Sequence, residues 1–370
     1  MRPAWLEVNL DSLAHNLQRL RARAGQVPAI GVVKANAYGH GAVEIGRELV
    51  RLGVWGLAVA TVEEGRALRQ AGLTARVLLL GSLHPEQAEA ALSWGLIPSL
   101  STLEAAEAVE ARARALGIRA EVHLEFDTGM GRTGFPVAEA PLLKERLGRW
   151  EGLELGGVYS HFADAEENPS WTAEQVMRFA EVQEVFGPGP LYHLCNTAGV
   201  LNVSPLGLGA IRPGIGLYGL WPDSGLKPIA RLLAKPTLVK RLPPGQRIGY
   251  GGLYTTQGEE WIATLPIGYA DGMPRLLYNR ATVRQLGPDG AECPVVGRIS
   301  MDQITVRLPG PTDLKALFEV ASADFHPSGS LWGWAQLTGT VSYEPAVRLA
   351  ARLPRVYLRG GVEVGRMEGV

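Results

Sequence analysis

Between residues 28 and 211 the chain repeats one pattern, a short apolar run followed by a longer amphipathic stretch. The runs are PAIGVV (28 to 33), VWGLAVA (54 to 60), RVLLLG (76 to 81), LIPSL (96 to 100), AEVHLEF (120 to 126), LELGGVYS (153 to 160), LYHLC (191 to 195) and GLGAI (207 to 211). Continuous apolar runs mark strands buried on both faces, and the amphipathic stretches between them are long enough to be crossover helices, so the pattern predicts parallel βαβ units. TVEEGRALRQAG and STLEAAEAVEARARALG open on Thr or Ser caps with Glu nearby and close on Gly. The stretch from Leu10 to Ala24 also reads as a helix, with Asp11 as its cap. Eight strands with intervening helices predict a (β/α)8 TIM-type barrel rather than an open doubly wound sheet. The eighth run is short and rich in glycine.

After Ala230 the texture changes to short alternating segments broken by LPPGQRIGYGG, LGPDG and LPGP, which predicts a C-terminal all-β domain. At 370 residues the chain exceeds what one core usually supports, in keeping with two domains. We assign 8–233 to the barrel and 234–370, with the N-terminal strand 1–7, to the β domain.

The formal net charge is −1 and no block of like charges occurs, so neither nucleic acid nor an anionic membrane is an expected partner; a small molecule is. The N-terminus lacks the apolar stretch of a secretory signal, and no run reaches membrane-spanning length. The cysteines are Cys195 and Cys293, far apart and without metal-like spacing. Neither a disulfide framework nor a metal site is expected, and a reducing cytoplasm fits.

Arginine greatly outnumbers lysine, which makes Lys34, at the end of the first strand in VVKANAYGHG, conspicuous. An amine held among Val33 and Ala35 faces desolvation, which makes it a nucleophile able to form a Schiff base. Position alone fits equally a surface lysine whose stem snorkels. Barrel sites sit on the loops that follow the strands, often with a phosphate after the seventh and eighth. Asn196-Thr197-Ala198-Gly199 and Arg212-Pro213-Gly214-Ile215-Gly216 fall at those two places, bringing a hydroxyl and a loop of exposed amides where a phosphate would lie.

VVKANAYGHG, DTGMGRTGF, YSHFADA, RPGIGLYG, IGYGG, PIGYADG and GRISMDQ occur here in the order seen in alanine racemases, and together they span both halves of the chain. The chain resembles that family, and the resemblance implies a pyridoxal-phosphate enzyme of fold-type III. Lys34 would carry the cofactor and act as one of two acid/base groups, with Tyr250 as the second, reaching the opposite face of the substrate across a homodimer interface. Arg212 would meet the pyridine nitrogen and His161 would hydrogen-bond that arginine. Tyr38, Thr197, Gly214, Ile215 and Tyr343 would hold the phosphate. Thr197 stands where the family usually has Ser, and the hydroxyl survives.

Arg132 would orient the substrate carboxylate, joined by Met301 and Asp302 from the partner subunit. Many members carry a carbamylated lysine where this chain has Glu125; a glutamate supplies negative charge without carbon dioxide, and we expect it to pair with Arg132 directly or through water. The implied function is interconversion of L- and D-alanine, supplying D-alanine for peptidoglycan. A racemase of another amino acid and a non-catalytic pyridoxal-phosphate-binding protein are the alternatives. Tyr343 and Tyr254 or Tyr269 favour a small substrate, and Tyr250 with GRISMDQ disfavours a carrier.

Overall fold

The structure, a computed structural model, describes residues 2–203, 206–288 and 290–369. Met1 and Val370, the outer limits assigned to the second domain, lie outside the described residues. Two compact units make up the chain: one comprises 17–35 and 45–217, the other 1–16, 36–44 and 218–370.

The first unit is the barrel. Strands Ile30–Val32, Gly56–Val59, Val77–Leu79, Ile97–Leu100, Ala120–Asp127, Leu153–Tyr159 and Leu191–His193 pair in that order, all parallel. The eighth run, around 207–211, forms only parallel bridges, His193 with Ala210 and Ala29 with Ile211, and these close the circuit between the seventh and first strands. Glycine explains the brevity: an added Cβ on Gly209 would come 2.9 Å from the Leu191 side chain, so this segment trades strand propensity for close approach.

The covering helices begin where their caps lie. Thr61 accepts from the Glu64 amide to open Val62–Gln70, Thr102 accepts from Ala105 to open Leu103–Leu116, and Gly117 closes the latter at φ 66°. Leu103–Leu116 turns Ala105, Ala106, Val109 and Ala113 inward. Strand Ala120–Asp127 alternates in the ordinary way, so Val122, Leu124 and Phe126 share one face and Glu121, His123 and Glu125 the other.

In the second unit the N-terminal strand Ala4–Asn9 pairs antiparallel with Ala230–Ala234 and parallel with Arg355–Arg359, inside a seven-stranded sheet. A three-stranded sheet of Leu238–Leu242, Glu260–Leu265 and Ile304–Leu308 adds to it, and two short helices, Leu331–Thr338 and Tyr343–Val347, accompany the strands. The helix Leu10–Arg23 begins two residues earlier than its expected cap allows: Asn9 Oδ1 accepts from the Ser12 amide, whereas Asp11 lies in the first turn and accepts from the Gly360 amide. Among the described residues no helix is long and apolar enough to cross a membrane.

Candidate active site

Lys34 lies one residue beyond the first barrel strand, after Val33, and is half-buried. Burial holds its ammonium below the ordinary lysine value, Arg132 adds to the effect, and Glu64 pulls the other way. The next four residues, Ala35, Asn36, Ala37 and Tyr38, all adopt left-handed backbone, with φ between 51° and 54°. For residues bearing a Cβ this conformation costs roughly 1–2 kcal/mol apiece, so the surroundings must impose it. Glu64 imposes it at the start, accepting from the Ala35 amide at 2.6 Å and from the Ala60 amide at 2.7 Å. Beyond it the Asn36 side chain accepts from the Ala42 amide at 2.9 Å, and the Ala37 carbonyl from the His40 amide at 3.0 Å.

Arg212 is 2% exposed, and no carboxylate among the described residues lies within ion-pair distance of it. Neutral groups receive its protons instead. One terminal nitrogen donates to His193 Nδ1 and the His193 carbonyl, both at 2.6 Å; the other donates to the Ser160 carbonyl at 2.6 Å and faces His161 Nδ1 at 3.5 Å. Its guanidinium also lies 4.8 Å from the centroid of the Tyr159 ring. Burial, reinforced by Arg212, Arg132 and Lys34, pushes the His161 ring down to about 3, so it is neutral near pH 7.

Thr197 Oγ1 accepts from the amides of Gly214 at 3.2 Å and Gly216 at 3.1 Å, leaving its own proton to donate elsewhere. A Cβ on Gly216 would come 2.7 Å from Thr197 Cγ2, which accounts for glycine there. Ile215, between them, is buried.

Glu125 is buried, and its Oε2 has no hydrogen-bond partner. Burial raises its carboxyl, while Thr133, Arg212 and Arg132 act against that. A direct pair with Arg132 is not formed among the described residues, because Arg132 sits exposed on the loop beyond the strand and reaches Glu125 only through its field.

In the second unit Tyr38 packs on Tyr218 with ring centroids 4.8 Å apart and on Tyr343 at 6.1 Å, and His40 stacks on Tyr218. Tyr250 is 68% exposed and Met301 53%. Asp302 pairs with Arg352 at 2.8 Å. Tyr254 donates to Glu260 at 2.7 Å, and Tyr269 is exposed at the start of the short turn Tyr269–Asp271. Thus Lys34, Glu125, Arg132, His161, Thr197, Arg212, Gly214 and Ile215 belong to the barrel unit, and Tyr38, Tyr250, Met301, Asp302 and Tyr343 to the other. Sequence reasoning missed Glu64, His123, His193 and Tyr159; the alternation of Glu121, His123 and Glu125 in one strand was a readable sign of a polar interior.

Residues 8–222 match the family model described as the N-terminal domain of alanine racemase, and residues 229–357 match that of its C-terminal domain. The chain belongs to the alanine racemase family. An alanine racemase of Symbiobacterium thermophilum is 39% identical, the match covering 96% of this chain and 97% of that one. The alanine racemase structure from Clostridium difficile 630 superposes with a TM-score of 0.92 at 34% identity, covering 100% of this chain and 99% of the other. That of Bartonella henselae, described with covalently bound pyridoxal phosphate, has a TM-score of 0.85 at 27% identity and covers 97% of this chain and 100% of the other.

Proposed function

We propose that this member of the alanine racemase family interconverts L- and D-alanine using pyridoxal phosphate attached to Lys34, in a homodimer whose sites are completed by Tyr250 of the partner subunit. The barrel unit fits that cofactor on its own chemistry. It offers a desolvated amine at Lys34, a hydroxyl gathered with two glycine amides at Thr197, and a buried cation at Arg212 whose neighbours are neutral acceptors. The placement of Lys34 and Arg212 in one barrel, the amine lowered by burial and the guanidinium shielded from carboxylates, is the observation that carries the reading.

Pyridoxal phosphate, when bound, supplies the electron sink that makes the α-proton of an amino acid removable. Lys34 Nζ, its basicity lowered, takes or returns that proton on one face. The Tyr250 hydroxyl of the partner subunit does so on the other, since inversion needs a donor opposite the acceptor. Arg212, permanently protonated, would hold the cofactor's ring nitrogen and keep it unprotonated, with His161 on the guanidinium's flank. Thr197 with the amides of Gly214 and Ile215 would hold the phosphate, and family resemblance adds Tyr38 and Tyr343. Arg132 orients the substrate carboxylate, Glu125 supplies the negative charge behind it, and Met301 and Asp302 act from the second copy. The division of labour is therefore 8–233 for cofactor and 234–370, with strand 1–7, for completing the neighbouring site.

The exposure of Tyr250 and Met301 leaves both side chains accessible to a second copy, as a shared site requires. With the family's role in D-alanine supply for peptidoglycan, the setting is cytoplasmic. The test mixes inactive Lys34→Ala and Tyr250→Phe chains: verified heterodimers should form D-alanine from L-alanine at one competent site of two. Heterodimers that stay inactive overturn the shared site.

A further inference from the structure

The barrel interior contains a chain of polar side chains that the proposed reaction does not use. Glu121 and His123 alternate along strand Ala120–Asp127, and His193 ends strand Leu191–His193. His123 Nδ1 lies 2.8 Å from His193 Nε2, and His193 Nδ1 lies 2.6 Å from the Arg212 guanidinium. His123 Nε2 points toward Glu121 Oε1 at 3.8 Å, too far for a direct hydrogen bond. The series thus runs Arg212, His193, His123, Glu121.

Backbone sequence makes room for it. Where Ala120–Asp127 pairs with Leu153–Tyr159 the register shifts, Val122 facing Leu155 and His123 facing Gly157, so the extra residue is Gly156 of the opposite strand. Opposite lie two glycines: a Cβ on Gly156 would come 2.5 Å from Glu121 Oε1, and one on Gly157 would come 2.5 Å from His123 Cε1. The His193 ring is fixed from the side by stacking on Tyr159, centroids 4.8 Å apart and planes 11° apart.

Donor and acceptor counting then allows one arrangement. A guanidinium can only donate, so His193 Nδ1 must be bare and its proton must sit on Nε2. That proton is donated to His123, so His123 Nδ1 is bare as well and its proton sits on Nε2, toward Glu121. A proton added to either imidazole sets donor against donor at Arg212 or between the rings. Burial lowers both imidazoles, in agreement with two neutral rings.

We infer that His123 is a positioning residue for Arg212: by accepting the Nε2 proton of His193 it fixes the tautomer that presents a bare nitrogen to the guanidinium, and so holds that cation oriented in the barrel. The inference rests on the reading of Arg212 as the partner of the cofactor's ring nitrogen for its catalytic consequence, but not for its geometry. Without His123, His193 is free to place its proton on Nδ1, against Arg212.

The test uses cofactor-bound protein labelled with 15N in histidine, whose ring shifts report tautomer and charge directly. His123 and His193 should both read as neutral Nε2–H rings, the signals assigned by their loss in His123→Asn and His193→Asn. A charged ring, or an Nδ1–H His193, overturns the inference. Two variants read its consequence. In His123→Leu the His193 signal should move toward Nδ1–H, the visible band of the bound cofactor should shift, and kcat should fall by about tenfold or more with KM within about threefold. His123→Asn, whose amide oxygen can accept where Nδ1 did, should restore all three to within about threefold. Equal behaviour of the two variants overturns the role, and if His123→Leu does not fold, the wild-type tautomers still decide. The expected tautomers in a protein that racemises no amino acid would support the positioning and defeat the functional reading instead.

Discussion

The Glu64 carboxylate accepts the Ala35 amide proton at 2.6 Å, and through that bond the residue after Lys34 is held in left-handed backbone. The same carboxylate binds the Ala60 amide, so one side chain spans the ends of the first and second barrel strands.

Replacing Glu64 by Gln leaves one acceptor oxygen for two amides. Stability should drop by about 1–3 kcal/mol, read as a lower denaturant midpoint with unchanged slope. The lost negative charge had opposed the lowering of Lys34, so the amine should titrate lower still. The pH dependence of reductive methylation of Lys34 by formaldehyde and borohydride in cofactor-free protein would show this; an upward shift would contradict it.

Glu125 should act as a built-in anion. The wild-type protein is expected to lose no activity when carbon dioxide is stripped from the buffer. Glu125→Gln should lower kcat/KM for alanine by roughly tenfold, the scale of one charge-assisted contact. Unchanged kinetics in Glu125→Gln would remove the residue from the site.

Asp271 is fully buried and receives Arg2 at 2.5 Å and Arg352 at 2.6 Å. Burial works to raise its carboxyl, but the two arginines and the Gly268 amide prevail and hold it below the usual aspartate value. A depressed folded value means stability present above the unfolded pKa, near 3.9, and lost as pH falls through the folded one. Asp271→Asn should therefore cost about 1–3 kcal/mol at neutral pH by removing the charge that Arg2 and Arg352 share, with the difference from wild type shrinking below about pH 4. A difference independent of pH would contradict the ion pairing.

Thr197→Ser should keep cofactor affinity within about threefold, and Thr197→Val should weaken it by roughly tenfold to a hundredfold, because valine offers no acceptor to the Gly214 and Gly216 amides. Equilibrium titration with pyridoxal phosphate, followed in the visible spectrum, distinguishes the two.

Much of the barrel was readable in advance because buried parallel strands are nearly continuous apolar runs: Gly56–Val59 lies inside VWGLAVA and Ile97–Leu100 inside LIPSL. The eighth run escaped regular pairing through its glycines. Asn9 rather than Asp11 caps the first helix, a two-residue difference set by where the preceding strand ends. The left-handed turn was hidden because Ala35 to Tyr38 contain no glycine, and what holds Ala35 comes from Glu64, far along the sequence. His123 and His193 lie seventy residues apart in contact at the barrel centre, a juxtaposition no local spacing encodes.

The most direct measurement is proton NMR of L-alanine incubated with the cofactor-bound protein in deuterated water, followed by chiral analysis of the recovered amino acid. Loss of the α-proton together with formation of α-deuterated D-alanine is the predicted result, as the proposed action of Lys34 and Tyr250 on opposite faces requires. Exchange with full retention of the L configuration, or no exchange at all, would contradict it.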